Sequence, residues 1–460
     1  MLAIMIVLFL LGYLVIALEH QISVNKAATA LVLCGLLWTL YIVESPSILS
    51  NSSEFAEYWK NTPDDIIPFG EKVISYVTGV EIIEHIGDVA EILFFLMGAM
   101  TIVELIDIHG GFSIITNRIR LKNKRKLLCA IVIVTFFMSA ILDNLTTTIV
   151  ILMMLRKLIQ DQKERWLFAG LVIIAANSGG AFSPIGDVTT IMLWVRGNVS
   201  AGSIIPSLIL PSIISVLIPL FFASRMLHES EDNVVPVVEN KNQKSYATMS
   251  YISSKEQKII FFLGVGSLIF VPIFKSLTHL PPFLGVLLGL SVLWFYTEIM
   301  YQKKDIPSGS RVTIPYALSR IDMTTILFFL GILMSVAALQ CAGILTSLSE
   351  TLDDVFNKNV YAINIVIGFL SSIVDNVPLV AGAMGMYEAE SVGAFAPDGV
   401  FWLMLAYCAG VGGSMLIVGS AAGVVAMGLE KITFGWYLKH ISWMAVLGYL
   451  AGAVVFVLMH

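Results

Sequence analysis

One dipeptide occurs twice inside apolar sequence: Asp143-Asn144 within SAILDNLTTTIV and Asp375-Asn376 within SSIVDNVPLVAG. A carboxylate at bilayer depth costs about 2.5–3.5 kcal/mol on insertion scales, so its presence there calls for a task. Oxygen donors accompany both pairs. Thr146 and Thr147 follow the first, and Asn177, Ser183, Asp187, Thr189 and Thr190 interrupt the next apolar run. Ser414 and Ser420 punctuate a glycine-rich stretch that begins at Gly410. None of these groups is soft sulfur or imidazole, and hard cations prefer oxygen ligands. No Lys or Arg falls in either tip or break, Arg196 being the nearest. An anion would therefore meet two aspartates with no counter-charge beyond helix N-termini. The charge balance favours Na⁺ or Li⁺, with Asp143, Asn144, Asp375 and Asn376 as the nearest ligands.

Desolvation penalises the charged form of a carboxyl group. A carboxylate at that depth then holds either a proton or a metal cation, and alternating access turns this competition into exchange of one for the other. The second titrating group is Asp375 or Asp187; the residues leave both open.

The elements that position these groups follow from composition. The chain has 460 residues, 57% hydrophobic and 13% charged, with mean hydropathy +0.87. Soluble domains carry about 25% charge, so this composition marks a membrane protein. Apolar runs long enough to span as helices recur along the chain, which argues against a β-barrel. The longest polar stretches are 44–88 and 223–256. Residues Met1 to Leu18 lack a basic n-region and a small-residue cleavage site, and are expected to be a retained span. Cys34, Cys129, Cys341 and Cys408 are dispersed in apolar segments, which indicates neither a disulfide framework nor a zinc site. The net charge of −6 is mild, and no basic tract suggests nucleic acid.

Basic residues sort the loops. Segments 117–126, 156–165 and 302–320 are rich in Lys and Arg and are expected in the cytoplasm, whereas 50–88, 350–354 and 388–398 are acidic and expected outside. Leu127–Leu155 then lies between two loops on one side, yet is too short for two full spans. It is expected to be a re-entrant hairpin with Asp143-Asn144 at its tip. The same reasoning makes Tyr361–Tyr387 a hairpin entering from outside, with Pro378 near its turn. Asp375 lies 232 residues after Asp143, and Gly412-Gly413 lies 233 after Gly179-Gly180. The expected fold is an all-α polytopic membrane protein of two inverted-topology repeats, each with a re-entrant hairpin and a broken transmembrane helix. The repeats are 1–228 and 257–460, joined by a cytoplasmic linker at 229–256.

SAILDNLTTTIV, NSGGAFSPIGDVTTIMLW and SSIVDNVPLVAGAMGMY resemble motifs of the NhaD-type Na⁺/H⁺ antiporters, in the ion-transporter superfamily that also holds arsenite and Na⁺/dicarboxylate carriers. The resemblance implies scaffold and transport domains, often dimeric, and export of Na⁺ or Li⁺ against inward H⁺ across a bacterial cytoplasmic membrane. It implies no cofactor. Its partners are the ions, the bilayer and a second copy of the chain. The family's functional residues match Asp143, Asn144, Asn177, Asp187, Thr189, Thr190, Asp375 and Asn376; Ser414 and Ser420 match within a glycine-rich break. Gly410 stands where an Asn would complete the symmetry with Asn177. Two alternatives are an anion carrier of the same superfamily, for arsenite or a dicarboxylate, and an intramembrane aspartyl protease whose two aspartates share a proton. Glu91 and Asp107 are read as interfacial, Glu104 as either interfacial or buried, the seven histidines as interfacial, and the methionines as packing material.

Overall fold

The computed structural model describes residues 1–17, 19–22, 24–50, 52–61, 68–112, 114, 123–227, 252–304, 314–373 and 375–460. Most of the expected linker at 229–256 lies outside the described residues, as do large parts of the basic segments 117–126 and 302–320. Helices follow in the order α1 Leu2–Ala17, α2 Lys26–Leu49, α3 Phe69–Tyr76, α4 Ile82–Ile108, α5 Lys124–Leu142, α6 Asn144–Leu158, α7 Gln162–Ala181, α8 Val188–Val195 and α9 Ala201–Met226. The second half holds α10 Ser254–Thr278, α11 Pro282–Lys303, α12 Met323–Cys341, α13 Ile344–Val355, α14 Val360–Ile373, α15 Asn376–Met386, α16 Val400–Gly412, α17 Ala421–Glu430 and α18 Trp443–Met459. No strand occurs among the described residues. Eight helical segments among them are long and apolar enough to cross a membrane, so this is a multi-pass membrane protein.

Residues form two compact units. The first comprises Met1–Leu93, Asp322–Asn359 and Val380–Glu388. Its α3 joins α4 through a π-helical turn, Val77–Glu81, giving one 40-residue segment from Phe69 to Ile108 whose residues up to Leu93 belong to this unit. The sequence reading placed 69–88 in a polar stretch; its charges are instead carried on the helix, and two of them, Lys72 and Glu81, have partners. Fully buried Tyr41 donates to Glu81 at 2.8 and 3.0 Å, and Lys72 sits 4.1 Å over the Trp59 ring.

The second unit comprises Phe94–Ile321, Val360–Leu379 and Ala389–His460. Its centre is α7 and α16, which are buried all round from Leu167 to Ala181 and from Phe401 to Gly412. Helices screened on every face show no amphipathic stripe and can carry polar groups away from lipid. Around them the helix ends are set by capping: Asn123 starts α5, Asp161 starts α7 and Ser200 starts α9, each accepting from a backbone N–H of the first turn.

Contacts along α7 give the chain's direction. At its start Lys124 of α5 pairs with Glu164 at 2.8 Å; at its end Ser139 of α5 donates to the Ala176 carbonyl at 2.6 Å. Helix α6 then returns. Asn144 at its start reaches Asn177, and the Ile159 carbonyl just past its end accepts from Arg165 at 2.9 Å. The chain therefore turns back at Asp143. In the second half α14 lies along α16 in the same way, with Asn364 donating to the Phe401 carbonyl at 3.3 Å and Ser371 to the Ala409 carbonyl at 2.7 Å. The end of α8 meets the start of α16, where Asp398 N–H donates to the Asn198 carbonyl at 2.8 Å. The end of α17 meets the start of α7, where Trp166 donates to the Glu430 carbonyl at 2.9 Å. The broken pair α7–α8 and the broken pair α16–α17 thus run in opposite directions past each other.

Candidate functional site

The backbone breaks where the sequence placed its polar residues. Asp143 has φ 88° and ψ 160°, a region that residues with a Cβ occupy only under constraint. Its carboxylate accepts from Thr146 N–H at 2.7 Å and Thr146 Oγ1 at 2.9 Å, capping α6. Asp187 caps α8 by accepting from Thr189 N–H at 3.1 Å, and Ser420 caps α17 by accepting from Gly423 N–H at 3.2 Å. Pro378 falls in the first turn of α15, where a missing N–H is harmless.

Four short elements converge on Asp187, which is 1% exposed. Asn144 Nδ2, from the first tip, donates to Asp187 Oδ2 at 2.9 Å and to Asn177 Oδ1 at 3.1 Å. Asn376 Nδ2, from the second tip, donates to the two Asp187 oxygens at 3.3 and 3.2 Å. Asn177 Nδ2 donates to Ser420 Oγ at 2.9 Å, tying the first break to the second. Asp143 and half-buried Asp375 lie within electrostatic range of Asp187. Among the described residues neither Asp143 nor Asp187 is paired with a Lys or Arg.

Of the residues singled out in sequence, Asn144, Asn177, Asp187, Asn376 and Ser420 therefore form one network. Thr189 adjoins it, with a fully buried Oγ1 that has no hydrogen-bond partner. Thr190 Oγ1 donates instead to the Asp187 carbonyl at 2.8 Å. Ser414 does not join: its hydroxyl donates to the Val411 carbonyl at 2.5 Å, and its carbonyl accepts from Tyr437 at 2.8 Å. Gly410 is glycine for a steric reason. A Cβ there would sit 2.9 Å from Ala181 Cβ and 3.8 Å from Asp187 Oδ2, so an Asn has no room beside Asp187. No cluster of three His, Cys, Asp or Glu side chains forms a resident metal centre among the described residues. An ion here would be held by carboxylate, amide and hydroxyl oxygens.

Sequence reasoning missed a second polar feature. Glu430, its side chain fully buried, accepts from Arg156 at 2.7 Å and Arg165 at 2.5 Å, and Arg156 also donates to the Leu429 carbonyl. This triad binds the end of α17 to the α6–α7 junction. Arg156 and Arg165 read only as charges of the basic segment 156–165, and Glu430 was not singled out; their meeting across about 270 residues gives them a role. Glu104, read as ambiguous, pairs with Arg320.

Known proteins are similar to this chain in sequence. The family model described as citrate transporter matches residues 6–406. Sodium/proton antiporter 2 of Arabidopsis thaliana is 41% identical over 99% of this chain and 99% of its own length. Sodium/proton antiporter 1 of the same plant is 40% identical over 99% of this chain and 72% of its own length. The Na⁺/H⁺ antiporter NhaD of Halomonas elongata is 30% identical over 98% of this chain and 87% of its own length.

Proposed function

The chain belongs to the citrate-transporter family, and from that premise we propose that it exchanges intracellular Na⁺, or Li⁺, for external H⁺ at Asp187. Membership in a family of transporters removes the protease alternative. The observation that carries the proposal is the convergence of two asparagine amides, one from each tip, on a single buried carboxylate with no cationic side chain bonded to it. Such a carboxylate takes a proton or a hard cation, one excluding the other.

The same geometry argues against citrate, arsenite or another anion as cargo. Helix N-termini are the natural anion sites of such folds. Here the chain's own Asp143 and Asp187 already cap α6 and α8, and Ser420 caps α17. An incoming carboxylate would have to displace them and face their charge.

The finer architecture belongs to this reading. Two repeats of inverted topology, at 1–228 and 257–460, are supported by the paired contacts Ser139–Ala176 and Ser371–Ala409 and by the opposed directions of the broken helices. Two re-entrant hairpins then carry the tips to the site. The proposed compartment is the bacterial cytoplasmic membrane, which the resemblance to NhaD-type antiporters implies, with a homodimer as the assembly.

The test is exchange in proteoliposomes. Na⁺ should dissipate an imposed proton gradient, and the half-saturating Na⁺ concentration should rise as pH falls, because the two ions compete for one group. Uptake of citrate or arsenite with no response to Na⁺ or Li⁺ would sink the reading. Thr189→Ala should raise the Na⁺ requirement several-fold, roughly the effect of losing one ligand hydroxyl, while the proton dependence shifts less; loss of protein without a change in Na⁺ requirement would make Thr189 a packing residue.

A further inference from the structure

We propose that Thr147 is a further ligand of the transported cation and sets part of its choice between Na⁺ and Li⁺. The assignment rests on the cation-exchange reading above. It comes from the fate of three consecutive hydroxyls at the start of α6. Thr146 Oγ1 donates to the Asp143 carboxylate at 2.9 Å. Thr148 Oγ1 donates to the Asn144 carbonyl at 2.7 Å. Thr147, between them, is fully buried, and its Oγ1 has no hydrogen-bond partner.

A buried hydroxyl left without a partner costs about 1–3 kcal/mol by mutational measures, and such groups are uncommon in folded proteins. Thr147 stands three residues after Asn144, which places both on one face of α6. Asn144 is the residue whose amide reaches Asp187 and Asn177. The other orphan hydroxyl of this region is Thr189 Oγ1, at the start of α8 and two residues after Asp187. One tip and one break thus each hold a buried hydroxyl oxygen that accepts no hydrogen bond, Thr189 two residues from Asp187 and Thr147 one helical turn from the Asn144 that reaches it. A dehydrating hard cation needs such oxygens.

The second half lacks them. The positions matching Thr147 and Thr189 at the repeat offsets are Leu379 and Ala422, both apolar. The cation therefore lies toward the first half of the site, bounded by Asp187, Thr189 and Thr147, while Asn376 and Ser420 close it from the second.

The experiment uses the full chain, wild type and with Thr147→Val and Thr147→Ser, in proteoliposomes and in detergent. Valine matches threonine in shape and removes a hydroxyl that bonds to nothing in the protein. Thermal unfolding without Na⁺ should therefore be unchanged or raised in Thr147→Val. Its half-saturating Na⁺ concentration should rise about tenfold at an unchanged maximal rate, the effect of one lost ion contact. Half-saturation by the smaller Li⁺, which needs fewer ligands, should rise less, and Thr147→Ser should restore wild-type behaviour. Unshifted Na⁺ dependence and Na⁺/Li⁺ preference in Thr147→Val would overturn the assignment. So would a fall in maximal rate and thermal stability together with half-saturation unmoved, the mark of a structural hydroxyl. Absence of Na⁺-driven exchange in the wild type would instead remove the exchange reading, and this assignment with it.

Discussion

Asp187→Asn should reduce Na⁺-driven proton movement by at least about 100-fold, the scale of losing the one group that takes up and releases the proton, while the protein still inserts and remains folded. Both halves of that expectation come from the contacts. Asparagine caps a helix as well as aspartate does, so the acceptor for Thr189 N–H survives and α8 keeps its start. What disappears is the capacity to trade a proton for a metal ion. The substituted amide also meets the amides of Asn144 and Asn376, which now lose one acceptor between them. Two measurements check this. Exchange in proteoliposomes should be at background, and Na⁺ should no longer raise the unfolding temperature, because a ligand stabilises only the state that binds it. Near-normal exchange in Asp187→Asn would move the chemistry to Asp143 or Asp375.

That Asp187 holds the centre was not legible in the sequence. Its charge at membrane depth was visible, as were the tips Asp143-Asn144 and Asp375-Asn376, because apolar surroundings make a lone carboxylate conspicuous. Which carboxylate receives the amides is a matter of three-dimensional meeting. Asn376 is 189 residues from Asp187, and no local pattern encodes that pair. Periodicity also failed where burial was complete: α7 and α16 show no polar face because neither has one exposed. Ser414 entered the candidate set because a glycine-rich break offers no register, and its hydroxyl turned out to bond its own backbone. Residues 69–88 read as polar because charges lower mean hydropathy, although Tyr41 and Trp59 partner Glu81 and Lys72 on the helix. Offsets near 232 joined positions that have like surroundings: Gly179 abuts the Phe136 backbone as Gly412 abuts that of Gly368.

Gly179→Ala and Gly412→Ala should each destabilise the protein by at least about 3 kcal/mol, the upper range for inserting an atom where a packed interior has no room, and most of each variant should be lost before it reaches the membrane in folded form. A Cβ at Gly179 would lie 2.1 Å from the Phe136 carbonyl oxygen, and one at Gly412 would lie 2.3 Å from that of Gly368. Both obstacles are backbone, so no rotamer change relieves them. The helix must move bodily, α7 away from α5 in one case and α16 away from α14 in the other. Either movement withdraws a tip from Asp187, since Ser139–Ala176 and Ser371–Ala409 hold the same pairs of helices together. The control is Gly266→Ala, in the interior of α10 with nothing within 4 Å of the added carbon; it should be neutral or stabilising by up to about 1 kcal/mol, as an alanine in an open helical position is. Monodispersity and thermal unfolding in detergent distinguish the three. The two tight glycines also test the proposed repeat, which assigns them one role: a large loss at Gly179 beside a mild one at Gly412 would mean that the halves are alike in sequence offset but not in how their helices bear on the site.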